Sequence, residues 1–225
     1  MTLFKIFDFI TECIIDIAFP KHCIFCNKLV PAGKKLCVCN KCSYKVILQR
    51  ATFADDDGGC NEVMSPLKYE DNVRLSMLKF KFKGVKYLGY TYAKAMADMI
   101  VGRKFYDDDC IITAVPIHRV RDRSYNQSEV IARIMCQLTN KKYCDNLIYK
   151  VKAIDRLSGM SNSDKVFYSK DSFYINSNYN VSGKTIIIVD DIYTSGTTLK
   201  ELASQFRARG AKYVYGITAT YRELQ

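Results

Sequence analysis

The chain has 225 residues, 48% of them hydrophobic, and a formal net charge of +11, enough for one mid-sized domain with a real core plus a small appendage. No apolar run approaches a membrane span, and Asp8, Glu12 and Asp16 interrupt what would have to be the core of a secretory leader. These features argue against a disulfide-stapled secreted domain and predict a cytoplasmic protein. Its positive surplus suits polyanionic partners, nucleic acid or phosphorylated substrates, or serves only as a solvated basic surface.

The first nineteen residues place Leu3, Phe4, Ile6, Phe7, Ile10, Ile14, Ile15 and Ile17 at helical spacing, which predicts an amphipathic helix over residues 1–19. Most such helices pack on their own protein; attachment to a partner is the less common use.

Residues 20–54 form a cysteine-rich module. Ten cysteines occur in the chain, and Cys23-Ile24-Phe25-Cys26 and Cys39-Asn40-Lys41-Cys42 are two CxxC pairs twelve residues apart. Two such knuckles supply the four thiolates of a closed structural Zn²⁺ site. So short a segment buries too little apolar surface to fold alone, and the metal would supply the folding free energy. Cys37 competes with Cys39 for the ligand position, and His22 reads as a bystander. A redox dithiol is the other reading of the pairs. The five remaining cysteines, Cys13, Cys60, Cys110, Cys136 and Cys144, read as small core residues.

Asp55, Asp56, Asp57, Gly58 and Gly59 read as a solvated loop into a domain over residues 60–225. There, residues 70–82 and 86–101 read as helices broken at Gly84. Within the first, Lys79-Phe80-Lys81-Phe82-Lys83, followed by Lys86 and Tyr87, interleaves cations with rings. Single-stranded nucleic acid binds such surfaces through backbone charge and base stacking; an amphipathic helix with one phenylalanine in the core explains the same residues. A buried strand is predicted over residues 110–116, then a helix over residues 124–138 with Ser124 and Gln127 as a capping box. Residues 152–170 are polar and irregular. A strand at residues 173–175, a strongly apolar one over residues 184–190, a helix along Leu199, Leu202, Ala203 and Phe206, and a strand over residues 213–219 complete an α/β domain around a mainly parallel sheet.

The most informative run is Ile186-Ile187-Ile188-Val189-Asp190-Asp191-Ile192-Tyr193-Thr194-Ser195-Gly196-Thr197-Thr198. A buried strand ends in two acids, a hydroxyl-rich turn and a helix start, at the strand end where open α/β sheets bind ligands. Backbone N–H groups and the Thr194, Ser195, Thr197 and Thr198 hydroxyls suit a phosphate, and Gly196 lets the backbone come close. Asp190 and Asp191 can hold ribose hydroxyls and act through Mg²⁺. An ordinary strand–turn–helix capped by Thr198 and Glu201 would explain the hydroxyls but not the acids.

This run resembles the phosphoribosyl pyrophosphate (PRPP) motif of type I phosphoribosyltransferases. With the Cys₄ module, Val115-Pro116, Arg123-Ser124-Tyr125-Asn126-Gln127 and Lys81-Phe82-Lys83-Gly84, the chain resembles the ComF family of bacterial competence proteins over nearly its whole length. The resemblance implies a type I phosphoribosyltransferase-like α/β fold preceded by a zinc module. The 5-phosphate would sit in the 194–198 loop, the ribose hydroxyls on Asp190 and Asp191, and pyrophosphate near Arg119 and Arg123, with Lys81 serving the same site. It also implies work in natural transformation on single-stranded DNA, beside a helicase-like partner. A metabolic transferase acting on a free base or amine is the alternative. One stretch departs from the family: Leu157, Lys165 and Tyr168 stand where ComF members carry Gln, Arg and Asn, in the region that would recognise an acceptor base.

Overall fold

The structure is a computed structural model describing residues 3–54, 59–106, 110–117, 125–151 and 172–223. The aspartates of the 55–58 loop, Arg119, Arg123 and the departing stretch at 157–168 lie outside the described residues.

Helix α1 (Leu3–Ala18) leads into the cysteine module, which contains a 3₁₀ turn at Asn40–Cys42 and a short helix α2 (Lys45–Leu48). Strands β1 (Ala51–Phe53), β2 (Glu62–Ser65) and β3 (Leu67–Lys68) follow, then helices α3 (Asp71–Phe82) and α4 (Leu88–Ile100). Next come β4 (Cys110–Ala114), α5 (Gln127–Thr139), a hairpin of β5 (Ile148–Val151) and β6 (Ser172–Ile175), β7 (Thr185–Tyr193), α6 (Thr197–Ala208) and β8 (Tyr213–Tyr221).

The main sheet runs β1-β2-β8-β7-β4, with β3 also against β8. Every pairing is parallel except that of β1 with β2. Ile186, Ile187, Ile188 and Val189 are fully buried, as a central strand covered on both faces requires. One face carries α4 and α5 over Ile187, Val189, Ile217 and Ala219; the other carries α6 over Ile186, Ile188 and Val214. This is the expected doubly covered α/β arrangement, with α3 and α4 reproducing the predicted helix pair to within two residues.

The cysteine module shares the first of these cores. Cys23, Ile24, Val30, Cys37, Val38 and Cys42 pack in one cluster with Met64, Leu67, Tyr92 and Met96, and the Cys37 N–H donates to Thr91 Oγ1 at 2.9 Å. At the end of α1, Asp16 is buried; it pairs with Lys21 at 2.9 Å and accepts from the Gly33 N–H, also at 2.9 Å.

Three expectations are corrected. The stripe of α1 is not buried against its own chain at Ile10, Ile14, Ile15 and Ile17, which are all at least half exposed. Helix α5 starts three residues later than expected, at Gln127, and Ser124 of the expected capping box lies outside the described residues. Asn126 is the cap, its Oδ1 accepting from the Ser128 N–H at 3.1 Å, while the Gln127 side chain is drawn away to donate to the Lys81 carbonyl at 3.0 Å. Cys13, Cys110 and Cys144 are only partly buried, whereas Cys60 and Cys136 are core residues. Among the described residues, no helix is long and apolar enough to cross a membrane.

Candidate functional site

Two sites emerge, one at the carboxyl end of β7 and one in the cysteine module. Strand β7 delivers Asp190 and Asp191 just past its buried stretch, and α6 begins at Thr197 immediately afterwards. Gly196 makes the turn with φ +73°, a conformation that costs glycine little and other residues more. Ser195 and Thr197 share a hydrogen bond of 2.9 Å between their hydroxyls. The turn is not closed by a Thr198–Glu201 box, since Gly196 stands at the cap without a side-chain bond and Glu201 Oε1 accepts instead from the Phe173 N–H at 3.3 Å. The helix's first N–H groups are therefore available to a ligand. Asp190, Tyr193 and residues 194–198 line a small polar hollow of about 40 Å³. That is room for a compact group the size of a few waters, not for a nucleotide.

The two acids have different partners. Lys81, at the end of α3, places its Nζ 2.8 Å from Asp191 Oδ2, with both side chains largely buried. Asp190 Oδ1 accepts from Ser128 Oγ at 3.0 Å and from the Asp191 N–H at 2.8 Å. Burial and the adjacent Asp191 charge push the Asp190 carboxyl up to about 7, although both hydrogen bonds and Lys81 pull the other way. An acid so poised has less positive charge around it than its ionised form demands, which suits the arrival of a cation.

Lys81 owes its position to α5. Gln127 donates to its carbonyl and the Tyr125 hydroxyl donates to the Phe80 carbonyl, fastening the end of α3 to the segment that follows residues 118–124. Asn126 Nδ2 donates to the Val115 carbonyl at 3.0 Å, so the Val-Pro and Tyr-Asn-Gln elements meet beside the acid pair. Sequence reasoning named Lys81 but missed Ser128 as the partner of Asp190.

In the cysteine module, the sulfurs of Cys23, Cys26, Cys39 and Cys42 lie within 4.8 Å of one another. The turn after Cys23 is tight, with the Asn27 N–H donating to the Cys23 carbonyl at 2.9 Å and Asn27 at φ +56°. The Ile24 N–H donates to the Cys37 carbonyl at 2.9 Å and so ties the first knuckle to the second. Cys26 and Cys39 sulfurs are 3.7 Å apart, close to the edge of about 3.8 Å for a tetrahedron with Zn–S bonds of about 2.3 Å. Four thiols this close cannot all ionise without a cation. Desolvation raises Cys39, yet hydrogen bonds from Cys42, Cys26 and Cys23 overcome it and bring that thiol down to about 7, while burial and the neighbours Cys39, Cys26 and Cys23 push Cys42 up to about 12. The cluster is able to hold a metal ion. Cys37 is outside it, wholly buried, with its thiol raised by desolvation; His22 is also outside it, on the surface.

Of the basic-aromatic stretch, Phe80 is fully buried, tilted against Tyr92 and edge-on to Tyr125. Phe82 is 48% exposed and Tyr87 42%, and Lys79, Lys83 and Lys86 are on the surface. Lys81 is turned inward to Asp191, so the stretch divides between a solvent face and the acid pair.

A family model described as the phosphoribosyl transferase domain matches residues 82–223. Among curated proteins, competence protein F of Haemophilus influenzae is 24% identical over 153 residues, 65% of this chain and 66% of that protein. The match thus spans just under two thirds of that relative's length. Among solved structures, a hypoxanthine-guanine phosphoribosyltransferase from Bacillus anthracis has 20% identity and a TM-score of 0.42, covering 63% of this chain and 73% of its own. A purine phosphoribosyltransferase from Pyrococcus horikoshii has 17% identity and a TM-score of 0.36, covering 58% and 77%. The likeness to competence protein F agrees with the resemblance to ComF proteins that the motifs carry. The matched residues run from the end of α3 through the acid pair and its loop to the end of β8, well over half of the sequence, and the chain belongs to the phosphoribosyl transferase domain family.

Proposed function

We propose that this protein binds PRPP with Mg²⁺ at the end of β7 and acts in DNA uptake during natural transformation, contacting single-stranded DNA. The observation that carries the first part is the joining of Lys81, Asp191, Asp190 and Ser128 beside the open turn at Gly196. The 194–198 turn would take the 5-phosphate through its N–H groups and hydroxyls. Asp190 and Asp191 would hold the ribose hydroxyls and the Mg²⁺, which when bound offsets the charge of the diphosphate. Arg119 and Arg123 are assigned the pyrophosphate for their planar, bidentate fit to phosphate oxygens. In transferases of this kind, pyrophosphate leaves the anomeric carbon through an oxocarbenium-like state and a nitrogen nucleophile enters. The protein's share is position and charge. Zn²⁺ in the cysteine cluster is structural, because four thiolates leave no open coordination position.

The DNA reading rests on the relative named for competence and on the exposed row of Lys79, Phe82, Lys83, Lys86 and Tyr87. The site of action would be cytoplasmic, beside a helicase-like partner. A metabolic transferase acting on a free base or amine is supported by the same acid pair and turn. Thermal melting with PRPP and Mg²⁺ tests the shared premise, since a ligand bound only by the folded state raises the melting temperature, by about 2.7 kcal/mol of stability at one hundred times its Kd. Titration with single-stranded DNA then separates the two: binding at low salt supports uptake, and its absence favours the metabolic enzyme.

A further inference from the structure

Strand β1 leaves the cysteine module and adds an antiparallel edge to the sheet, pairing Phe53 with Val63. From that edge the Phe53 ring stacks on Tyr193, with centroids 4.7 Å apart and planes 27° from parallel, and meets Tyr221 edge-on at 5.5 Å. Tyr193 is the last residue of β7, and its carbonyl accepts from the Arg222 N–H at 2.9 Å. The ring then lies directly under the turn. A methyl group built on Gly196 would stand 3.0 Å from the Tyr193 ring and its hydroxyl. Tyr193 thus touches both Phe53 and the neighbourhood of Gly196, and it lines the hollow at the turn.

We infer that Phe53 is a positioning residue for the 194–198 turn, acting through Tyr193, and that the segment leaving the cysteine module thereby sets the affinity of the 5-phosphate site. The inference rests on the reading that this turn receives a sugar phosphate. A rotated Tyr193 ring would change the space beneath Gly196, and so the direction of the N–H groups at the start of α6. Binding through the turn would weaken, while groups held elsewhere in the site would not notice.

Calorimetric titration with ribose 5-phosphate, PRPP with Mg²⁺, and pyrophosphate tests this on full-length wild type, Phe53→Leu and Phe53→Tyr, with bound metal measured on each. Phe53→Leu keeps apolar bulk and loses the stack; ribose 5-phosphate and PRPP should each bind roughly two- to tenfold more weakly, the range set by aromatic pair energies. Pyrophosphate affinity and metal content should stay at wild-type values, and Phe53→Tyr should restore the sugar phosphates. Unchanged sugar-phosphate affinity in Phe53→Leu overturns the inference, as does an equal loss for pyrophosphate, which would mark general damage. If Phe53→Leu does not fold, Tyr193→Leu against Tyr193→Phe is read by the same ligand pattern. Wild-type protein that binds neither sugar phosphate overturns the assignment of the turn itself, an outcome distinct from the other two.

Discussion

Lys81 Nζ stands 2.8 Å from Asp191 Oδ2, where the end of α3 meets the end of β7. The contact takes one lysine out of a basic-aromatic row and gives it to the acid pair. Lys81→Gln should therefore reduce the melting-temperature rise given by PRPP and Mg²⁺ and leave single-strand affinity within about twofold. The double variant Asp190→Asn, Asp191→Asn should abolish the rise. An undiminished rise in the double variant would place PRPP elsewhere.

The Asp190 carboxyl gives the site a pH dependence. Burial and the charge of Asp191 raise it from 3.8 to about 7, so between those values the folded chain keeps a proton that the unfolded chain has released. This group's contribution to stability is complete below the lower value and is lost as pH rises to the upper one. Melting temperature in the absence of ligand should fall over that interval, and Asp190→Asn should flatten its share of the decline. Binding of PRPP with Mg²⁺, which needs the carboxylate, should tighten from about pH 6 to about pH 8. Calorimetry in matched buffers would show an affinity independent of pH if Asp190 takes no part.

Replacement of Cys39 by Ser should release one Zn²⁺ per chain, read by metal analysis, and lower the melting temperature, since metal binding and folding are coupled. Cys37→Ser should keep the metal, because Cys37 reaches Thr91 through its backbone N–H and lies outside the four-sulfur cluster. The reverse pattern would assign the fourth ligand to Cys37.

Single-strand binding should weaken steeply with salt, each neutralised phosphate releasing counterions. Lys79→Gln with Lys83→Gln should flatten that slope by about 1.4 for a single strand if each lysine contacts one phosphate. Phe82→Leu should cost about 1–3 kcal/mol of stacking at an unchanged slope. Phe80→Ala is a different experiment: that ring is fully buried, and its loss should cost about 3–5 kcal/mol of stability. Fluorescence anisotropy with a melt on each variant distinguishes the two rings. No binding by wild type at low salt removes the DNA reading.

Much of this architecture was legible from the sequence because its signals are local. Four consecutive apolar residues before Asp190 announce a buried strand, and the turn chemistry follows within five residues. The strands beyond β8 were missed where the pattern is short or broken: β1 has three residues, and Pro66, which lacks an N–H for the ladder, interrupts β2 and β3 along β8. Gln127 has the spacing of a cap, but tertiary contact with the Lys81 carbonyl outweighed that local use. The pairings of Ser128 with Asp190 and of Phe53 with Tyr193 join segments far apart in the chain, and no spacing rule reports on them.

The contact between Cys37 and Thr91 spans 54 residues, and this has a consequence for biosynthesis. The cysteine knuckles leave the ribosome ahead of α4, against which their apolar side packs and which follows only after about 3–11 seconds at translation rates of about 5–20 residues per second. During that interval Ile24, Val30 and Val38 lack the part of their core that Tyr92 and Met96 supply. If the four sulfurs capture a metal, that capture would stabilise the nascent module before α4 emerges, and metal supply during translation would then govern the yield of folded chain.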